Sequence, residues 1–259
     1  MSNPNYGDIA KEARKTVLRL IYKAQTSHIG SNFSAIDIMA VLFEKVDIKK
    51  DEAVLSAGWK AASWYFFLWK KGVITEEELN SFCMPDSKFI GLVEPMERWG
   101  LRCAGGSMGL SLPAAVGLAL AKKLKGEEGT VFVLMSDGEQ QCGTTWESIL
   151  IAVHHKLDNL IVIVDENGSQ AMGKTSEILK IYFPNDDYLP WSQKEVDGHD
   201  YKKIEGGLIP YQFPGNTPHF VIAHTIKGKG VSFMENNNLY HYKNLSTVEY
   251  EEALKELNG

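Results

Sequence analysis

A chain of 259 residues and 28.9 kDa is long enough to close one large domain around a full core. Hydrophobic residues make up 44%, charged residues 23%, and the net charge is −6, which excludes the basic footprint of a nucleic-acid binder. No apolar stretch reaches the length of a membrane span, and the polar start Met1-Ser2-Asn3-Pro4-Asn5 lacks a signal-peptide core. Cys83, Cys103 and Cys142 have no CxxC spacing, so the reading is a cytoplasmic protein with reduced thiols.

In chain order, residues 8–25 carry Ile9, Val17, Leu18, Leu20 and Ile21 among charged positions, the pattern of a helix with one apolar face. Residues 34–45 read as a second helix with Ser34 as its N-cap. Ala53-Val54-Leu55 is a short strand, and an aromatic helix from about Trp59 to Trp69 follows. Thr75 with Glu78 forms a capping box that opens another helix. Residues 86–106 read as an extended loop. A helix rich in Ala and Gly, able to pack closely, runs from about Gly109 to Leu124. Two apolar runs, Val131-Phe132-Val133-Leu134-Met135 and Leu160-Ile161-Val162-Ile163-Val164, read as buried strands joined by a helix over 144–157, capped by Thr144 or Thr145. Further strands are expected near Lys194-Val196 and His219-His224, and a last helix from about Thr247 to Leu257. This alternation predicts an α/β fold with a mainly parallel sheet. No repeat or linker marks a boundary, so residues 1–259 are read as a single domain.

The two buried runs end in the most informative residues. The first leads into Ser136-Asp137-Gly138-Glu139, the second into Asp165-Glu166-Asn167-Gly168-Ser169. A right-handed strand–helix–strand unit brings both ends to one sheet edge, and that edge is where open α/β sheets bind ligands. A lone strand-end aspartate is commonly a helix cap, so only the joint pattern is informative. The Asp137 carboxylate, the Asn167 amide oxygen and a nearby backbone carbonyl are hard oxygen donors of the kind Mg²⁺ takes alongside phosphates. Gly138 lets a backbone N–H approach a ligand closely, and a helix N-terminus beyond it suits a diphosphate. With one carboxylate and no second acidic ligand, the site calls for a ligand that brings its own negative charge.

A competing motif overlaps this cradle. Residues 168–175, Gly168 to Thr175, satisfy the P-loop pattern G-x4-G-K-[ST] after a strand. A P-loop must open a substantial helix, whereas Tyr182-Phe183-Pro184-Asn185-Asp186-Asp187 reads as loop. The nucleotidase reading is set aside on that ground.

Several blocks, in order, resemble the transketolases. Ser136-Asp137-Gly138-Glu139, the helix containing Trp146-Glu147, Lys156-Leu157-Asp158-Asn159-Leu160 and Asp165-Glu166-Asn167-Gly168 look like that family's thiamine-diphosphate motif. Ser27-His28-Ile29-Gly30-Ser31 is similar to its early histidine motif, and Gly105-Gly106-Ser107-Met108-Gly109 to its Gly-Pro-Leu-Gly loop. Val196-Asp197-Gly198-His199-Asp200, Thr225-Ile226-Lys227-Gly228-Lys229-Gly230-Val231 and His241 within Leu239-Tyr240-His241-Tyr242-Lys243 extend the likeness over nearly the whole chain.

The resemblance implies a three-layer α/β/α thiamine-diphosphate-binding fold. It implies that Asp137, the Asn167 side chain and the Ser169 carbonyl bind Mg²⁺ or Ca²⁺. The Gly138 amide would contact the diphosphate, with Glu139 in the same cofactor motif. Gly106, Ser107 and Met108 would line the cofactor rings, and His28 and His241 would face substrate and cofactor as catalytic groups. His154 and His155, neighbours on a helix, read as structural.

Transketolase-like enzymes carry a pyrimidine-binding domain, which supplies the activating glutamate, and a C-terminal domain. Neither can be assigned here, so both are expected on a partner chain, in an assembly of two of each chain. The implied reaction is transfer of a two-carbon ketol unit from a ketose donor to an aldose acceptor, with no nucleic acid or membrane partner.

Departures from the family pattern keep two alternatives open. In Leu55-Ser56-Ala57-Gly58-Trp59-Lys60 the family's Ser-Lys-Gly-His-Ala has Trp59 for its histidine. Leu92 holds the histidine position of a Gly-His-Pro pattern, Cys142 stands where a glutamate is usual, and Ser27 and Ser136 each replace a glycine. Loss of hydrogen-bonding donors relaxes discrimination for sugar hydroxyls. The alternatives are another thiamine-diphosphate chemistry, 2-oxo acid decarboxylation with acyloin condensation, and a regulatory, non-catalytic paralogue.

Overall fold

The computed structural model describes residues 5–103, 105–181, 191–209 and 216–259. Helix α1, Tyr6–Ala24, is capped by the Asn5 side chain and ends at Gln25 in the left-handed conformation. Helix α2 spans Ile29–Lys45, starting well before the expected Ser34. Its start is set by His28, which adopts φ 70 and whose N–H donates to the His241 carbonyl at 3.0 Å. Ser34 is therefore inside the helix. Its hydroxyl lies 2.6 Å from Asp165 Oδ2 and 3.0 Å from the Ser31 carbonyl, a tertiary tie rather than a cap.

Strand β1, Glu52–Leu55, leads through a 3₁₀ turn at Gly58–Lys60 into the aromatic helix α3, Ala61–Lys70. The Thr75–Glu78 capping box is formed and opens α4, Glu76–Asn80. The described residues of 86–106 contain no helix or strand, and α5 follows at Ser111–Lys125. Strand β2, Val131–Ser136, passes through a 3₁₀ turn, Asp137–Gln141, to α6, Gly143–His154. Neither Thr144 nor Thr145 caps α6. The N-cap is Cys142, and the Thr145 hydroxyl donates to the Glu139 carbonyl at 2.7 Å.

After β3, Leu160–Glu166, the P-loop-like residues fold as a short antiparallel hairpin of β4, Ser169–Gln170, and β5, Gly173–Lys174. Only the four-residue α7, Thr175–Ile178, follows it. No phosphate-cradling helix is opened, which removes the nucleotidase reading; the loop reading of 182–187 lies outside the described residues. Strand β6, Ser192–Asp197, α8, Tyr201–Gly207, and β7, His219–His224, come next. A 3₁₀ turn at Asn238–His241 and α9, Thr247–Asn258, complete the described elements.

The main sheet has five strands in the order β1-β2-β3-β7-β6, every pair parallel. Alternation along the strands builds two cores, because successive side chains leave opposite faces. Ala53, Leu55, Phe132, Leu134, Ile161 and Ile163 pack with the apolar faces of α1, α2 and α3, together with Ile204 of α8 and Leu257 of α9. Val54, Val131, Val133, Val162, Val164 and Ile222 pack with Leu112, Ala115 and Ala119 of α5 and Ile149 and Ala152 of α6. The result is the three-layer arrangement. Among the described residues no helix is long and apolar enough to cross a membrane.

A polar network pins the helical layer. The Arg14 guanidinium donates both ways to Asp37, at 3.0 and 2.7 Å, and both residues are buried. Asp37 also accepts from the Tyr201 hydroxyl at 3.0 Å and from His199 Nδ1 at 2.7 Å. The His199 Nε2 accepts from the Ile226 N–H at 2.9 Å, which leaves the ring proton on Nδ1. Burial works against the Asp37 charge, but the His199 hydrogen bond and Arg14 outweigh it and hold the carboxyl down at about 2.

Candidate active site

The register of the central strands assembles the site. Ser136 of β2 pairs with Asp165 of β3, so Asp137 and Asn167 leave the sheet side by side. Asp137 is buried; its Oδ1 accepts from the Gly138 N–H at 2.8 Å and its Oδ2 from the Gly168 N–H at 2.7 Å. Asn167 Oδ1 accepts from the Ser169 N–H at 3.1 Å. Burial first, then the neighbouring Asp165 charge, push the Asp137 carboxyl up to about 7, against the pull of Lys60 and the two N–H groups. A carboxylate so poorly compensated is one that a cation would stabilise.

A cavity of about 290 Å³ opens over this pair. The start of α2 contributes His28 and Ser31, the turn before α3 contributes Trp59 and Lys60, and the loop before α5 contributes Met108. Ser136, Asp137, Gly138, Asn167 and Ser169 form the cradle side. Gln170, Ala171 and Met172 come from the hairpin, and His241 and Tyr242 from the end of the last 3₁₀ turn. Seven residues marked in the sequence thus meet around one cavity: His28, Met108, Asp137, Gly138, Asn167, Ser169 and His241.

Three others do not. Gly106 and Ser107 are exposed on their loop and lie outside the cavity lining. Glu139 is fully buried away from the cavity. It accepts from the Ser136 N–H at 2.8 Å, the Gly109 N–H at 3.3 Å and the Ser56 hydroxyl, stapling the cradle turn to the ends of two neighbouring segments. The signal for this is present in the sequence, because Ser136 with Glu139 is a capping box and that box is formed. Leu92 is 41% exposed and also outside the lining, so only Trp59 of the two histidine replacements reaches the cavity. His154 and His155 are exposed at the end of α6, their rings 4.9 Å apart and edge to face.

Three ionised groups have no sequence signal of their own. Lys60 and Asp165 form an ion pair of 2.7 Å with both side chains fully buried. Asp165 also accepts from Ser34 and Thr225. Lys227, again fully buried, places Nζ 2.7 Å from His241 Nδ1 and 3.2 Å from Asn238 Oδ1.

These lysines govern the two histidines. Burial, Lys60 and Lys227 bring His28 down to about 4. Burial, Lys227, His28 and Lys60 bring His241 down to about 3. Both rings are therefore neutral near pH 7. Because the Lys227 ammonium can only donate, His241 Nδ1 is assigned as acceptor and its proton to Nε2. The two rings stand 5.0 Å apart, and Trp59 lies 6.4 Å from His28.

Among the described residues no three His, Cys, Asp or Glu side chains converge as a metal cluster. A cation at Asp137 would rest on that carboxylate, the Asn167 amide, a main-chain carbonyl and the oxygens of a bound anion. That donor set fits Mg²⁺ held jointly with a phosphate group.

The family model described as transketolase, thiamine diphosphate binding domain, matches residues 7–258. One of the two subunits of an apulose-4-phosphate transketolase from Actinobacillus succinogenes is 33% identical over 98% of this chain and 98% of its own length. A 6-deoxy-6-sulfo-D-fructose transketolase subunit from a Clostridium species is 29% identical over 96% of this chain and 94% of its own length. A crystal structure of transketolase from Campylobacter jejuni superposes with a TM-score of 0.87 at 24% identity. It is covered over 43% of its length by 99% of this chain, a likeness of fold.

Proposed function

The chain belongs to the thiamine-diphosphate-binding domain family of transketolases, and on that premise we propose that it is the cofactor-binding subunit of a split transketolase. With a partner chain carrying the pyrimidine-binding domain, two of each chain together, it would transfer a two-carbon ketol unit from a ketose to an aldose. The single observation that carries this reading is the convergence of Asp137, Asn167, His28 and His241 on one cavity. The exposed apolar side chains of Met108, Met172 and Tyr242 on the cavity lining, with Leu239 beside Tyr242 in the chain, support a partner chain that closes over it. The relatives named as transketolase subunits support the same division of labour.

In this reading Asp137, the Asn167 side chain and the Ser169 carbonyl hold Mg²⁺, and the Gly138 N–H faces the diphosphate. Thiamine diphosphate, when bound, supplies the nucleophilic carbon and electron sink for cleavage next to a carbonyl. His241, neutral with its proton on Nε2, can donate a hydrogen bond to a donor-sugar oxygen. Its unprotonated neighbour His28 can orient a hydroxyl or accept its proton. Trp59 in place of a hydrogen-bonding ring makes one wall less polar, which favours a second reading, a 2-oxo acid donor.

Thermal unfolding with thiamine diphosphate and Mg²⁺ tests the assignment. Binding raises the melting temperature by linkage, and the rise should vanish with EDTA and in Asp137→Ala. Absence of any shift in the wild-type chain, alone and with a pyrimidine-domain partner, sinks it. A donor screen on the reconstituted pair separates ketose from 2-oxo acid.

A further inference from the structure

Lys60 stands on the lining of the cavity with its side chain wholly buried. Its ammonium makes the 2.7 Å ion pair with Asp165 and no geometrically satisfied hydrogen bond among the described residues. An ammonium carries three N–H donors, so most of its donor capacity is unspent at a site from which water has been removed. Asp165 has independent support, since Ser34 and Thr225 also donate to it. A buried cation held in this way has a large free-energy incentive to meet an anion. Lys60 falls at the alanine of the Ser-Lys-Gly-His-Ala pattern, directly after Trp59, which has replaced the histidine. The tryptophan carries no positive charge and offers a single N–H.

We infer that Lys60 is a fixed cationic contact for the diphosphate of the cofactor, standing in for the histidine that Trp59 displaced. The inference rests on the proposed cofactor reading. Together with Lys227, Lys60 puts two buried ammonium groups beside Asp137 and Asp165. A multiply charged anion with its Mg²⁺ is therefore received by a cavity whose buried charges balance before it enters. The same lysine holds His28 neutral, so anion recognition and the state of the donor-facing ring depend on one residue.

The test is calorimetric titration of the chain with thiamine diphosphate plus Mg²⁺, and separately with inorganic diphosphate plus Mg²⁺. Lys60→Met alone leaves the Asp165 carboxylate buried with its counter-charge gone, so the comparison is Asp165→Asn against Lys60→Met/Asp165→Asn. Circular dichroism establishes the fold of each. Asp165→Asn frees the ammonium and should bind both probes at least as tightly as wild type. The double variant should bind both about tenfold to a hundredfold more weakly than Asp165→Asn, the scale of one lost charged hydrogen bond. Equal binding by the two variants overturns the role of Lys60 and leaves the cofactor reading standing. If the wild-type chain binds neither probe, both fall together.

Discussion

The His28 N–H donates to the His241 carbonyl at 3.0 Å, and the two imidazoles sit 5.0 Å apart over the strand-end cradle. This one backbone bond sets the start of α2, seats the chain's last 3₁₀ turn against it and closes one side of the cavity. Both rings share the field of Lys60 and Lys227, and so they should behave as a pair.

That pairing has a pH signature. Burial and the two lysines depress His28 to about 4 and His241 to about 3. In the unfolded chain each histidine takes its proton near pH 6.5. As pH falls below that value the unfolded state gains protons that the folded state refuses. Stability from these groups is therefore complete above about pH 6.5 and is lost as pH falls toward the folded values. Two-dimensional NMR of ring carbons should show both imidazoles still neutral at about pH 5.5, a pH between the unfolded and folded values. A midpoint near 6.5 for either ring contradicts the assignment.

Removal of the His241 ring should act on chemistry more than on folding. In the complex reconstituted with its partner chain, His241→Ala is expected to lower kcat/KM by ~10²-fold or more, typical of a lost acid–base group. Lys227→Met leaves the ring in place but removes the donor that sets its tautomer, so it should lower turnover while cofactor binding is followed separately by calorimetry. Unchanged turnover in His241→Ala would remove that residue from the mechanism.

Asp37 offers a test of the scaffold far from the cradle. Asp37→Asn breaks a buried bidentate pair and strands Arg14, at a cost of ~3–5 kcal/mol, measurable as a shift in the urea midpoint at constant slope. The wild-type contribution is present above the unfolded aspartate value of about 3.9 and disappears as pH falls toward about 2. A loss well under ~1 kcal/mol would show that the network adds little to stability.

Gly58 is the tightest point between the turn that carries Trp59 and Lys60 and the loop that carries Met108. A Cβ there would stand 1.9 Å from the Gly105 carbonyl oxygen, and the Gly58 N–H donates to that oxygen at 2.8 Å. Gly58→Ala must push the two segments apart, costing ~1–3 kcal/mol and weakening the thermal shift by thiamine diphosphate. A variant with wild-type melting temperature and shift would mean that the loop yields freely.

The cradle is legible in the sequence because its information is local. Asp137 and Asn167 follow two apolar runs, and parallel pairing of those runs is enough to set the side chains next to each other. Glu139 is misplaced by sequence alone because its proximity to Asp137 suggests the cofactor, while its capping-box spacing with Ser136 points inward to Ser56 and Gly109. Ser34 is misplaced for a related reason. A serine before an apolar run resembles a cap, but the tertiary bond at His28 starts the helix earlier and turns Ser34 toward Asp165.

By itself the sequence determined the alternation of elements, the two strand ends that present Asp137 and Asn167, and the family blocks around them, all products of short-range pattern. Tertiary structure alone decided the electrostatics. Lys60, Asp165 and Lys227 come from separate segments and meet only when α2, the turn before α3 and the final 3₁₀ turn pack together. A charge's effect depends on burial and on neighbours distant in sequence, and neither is written in local spacing.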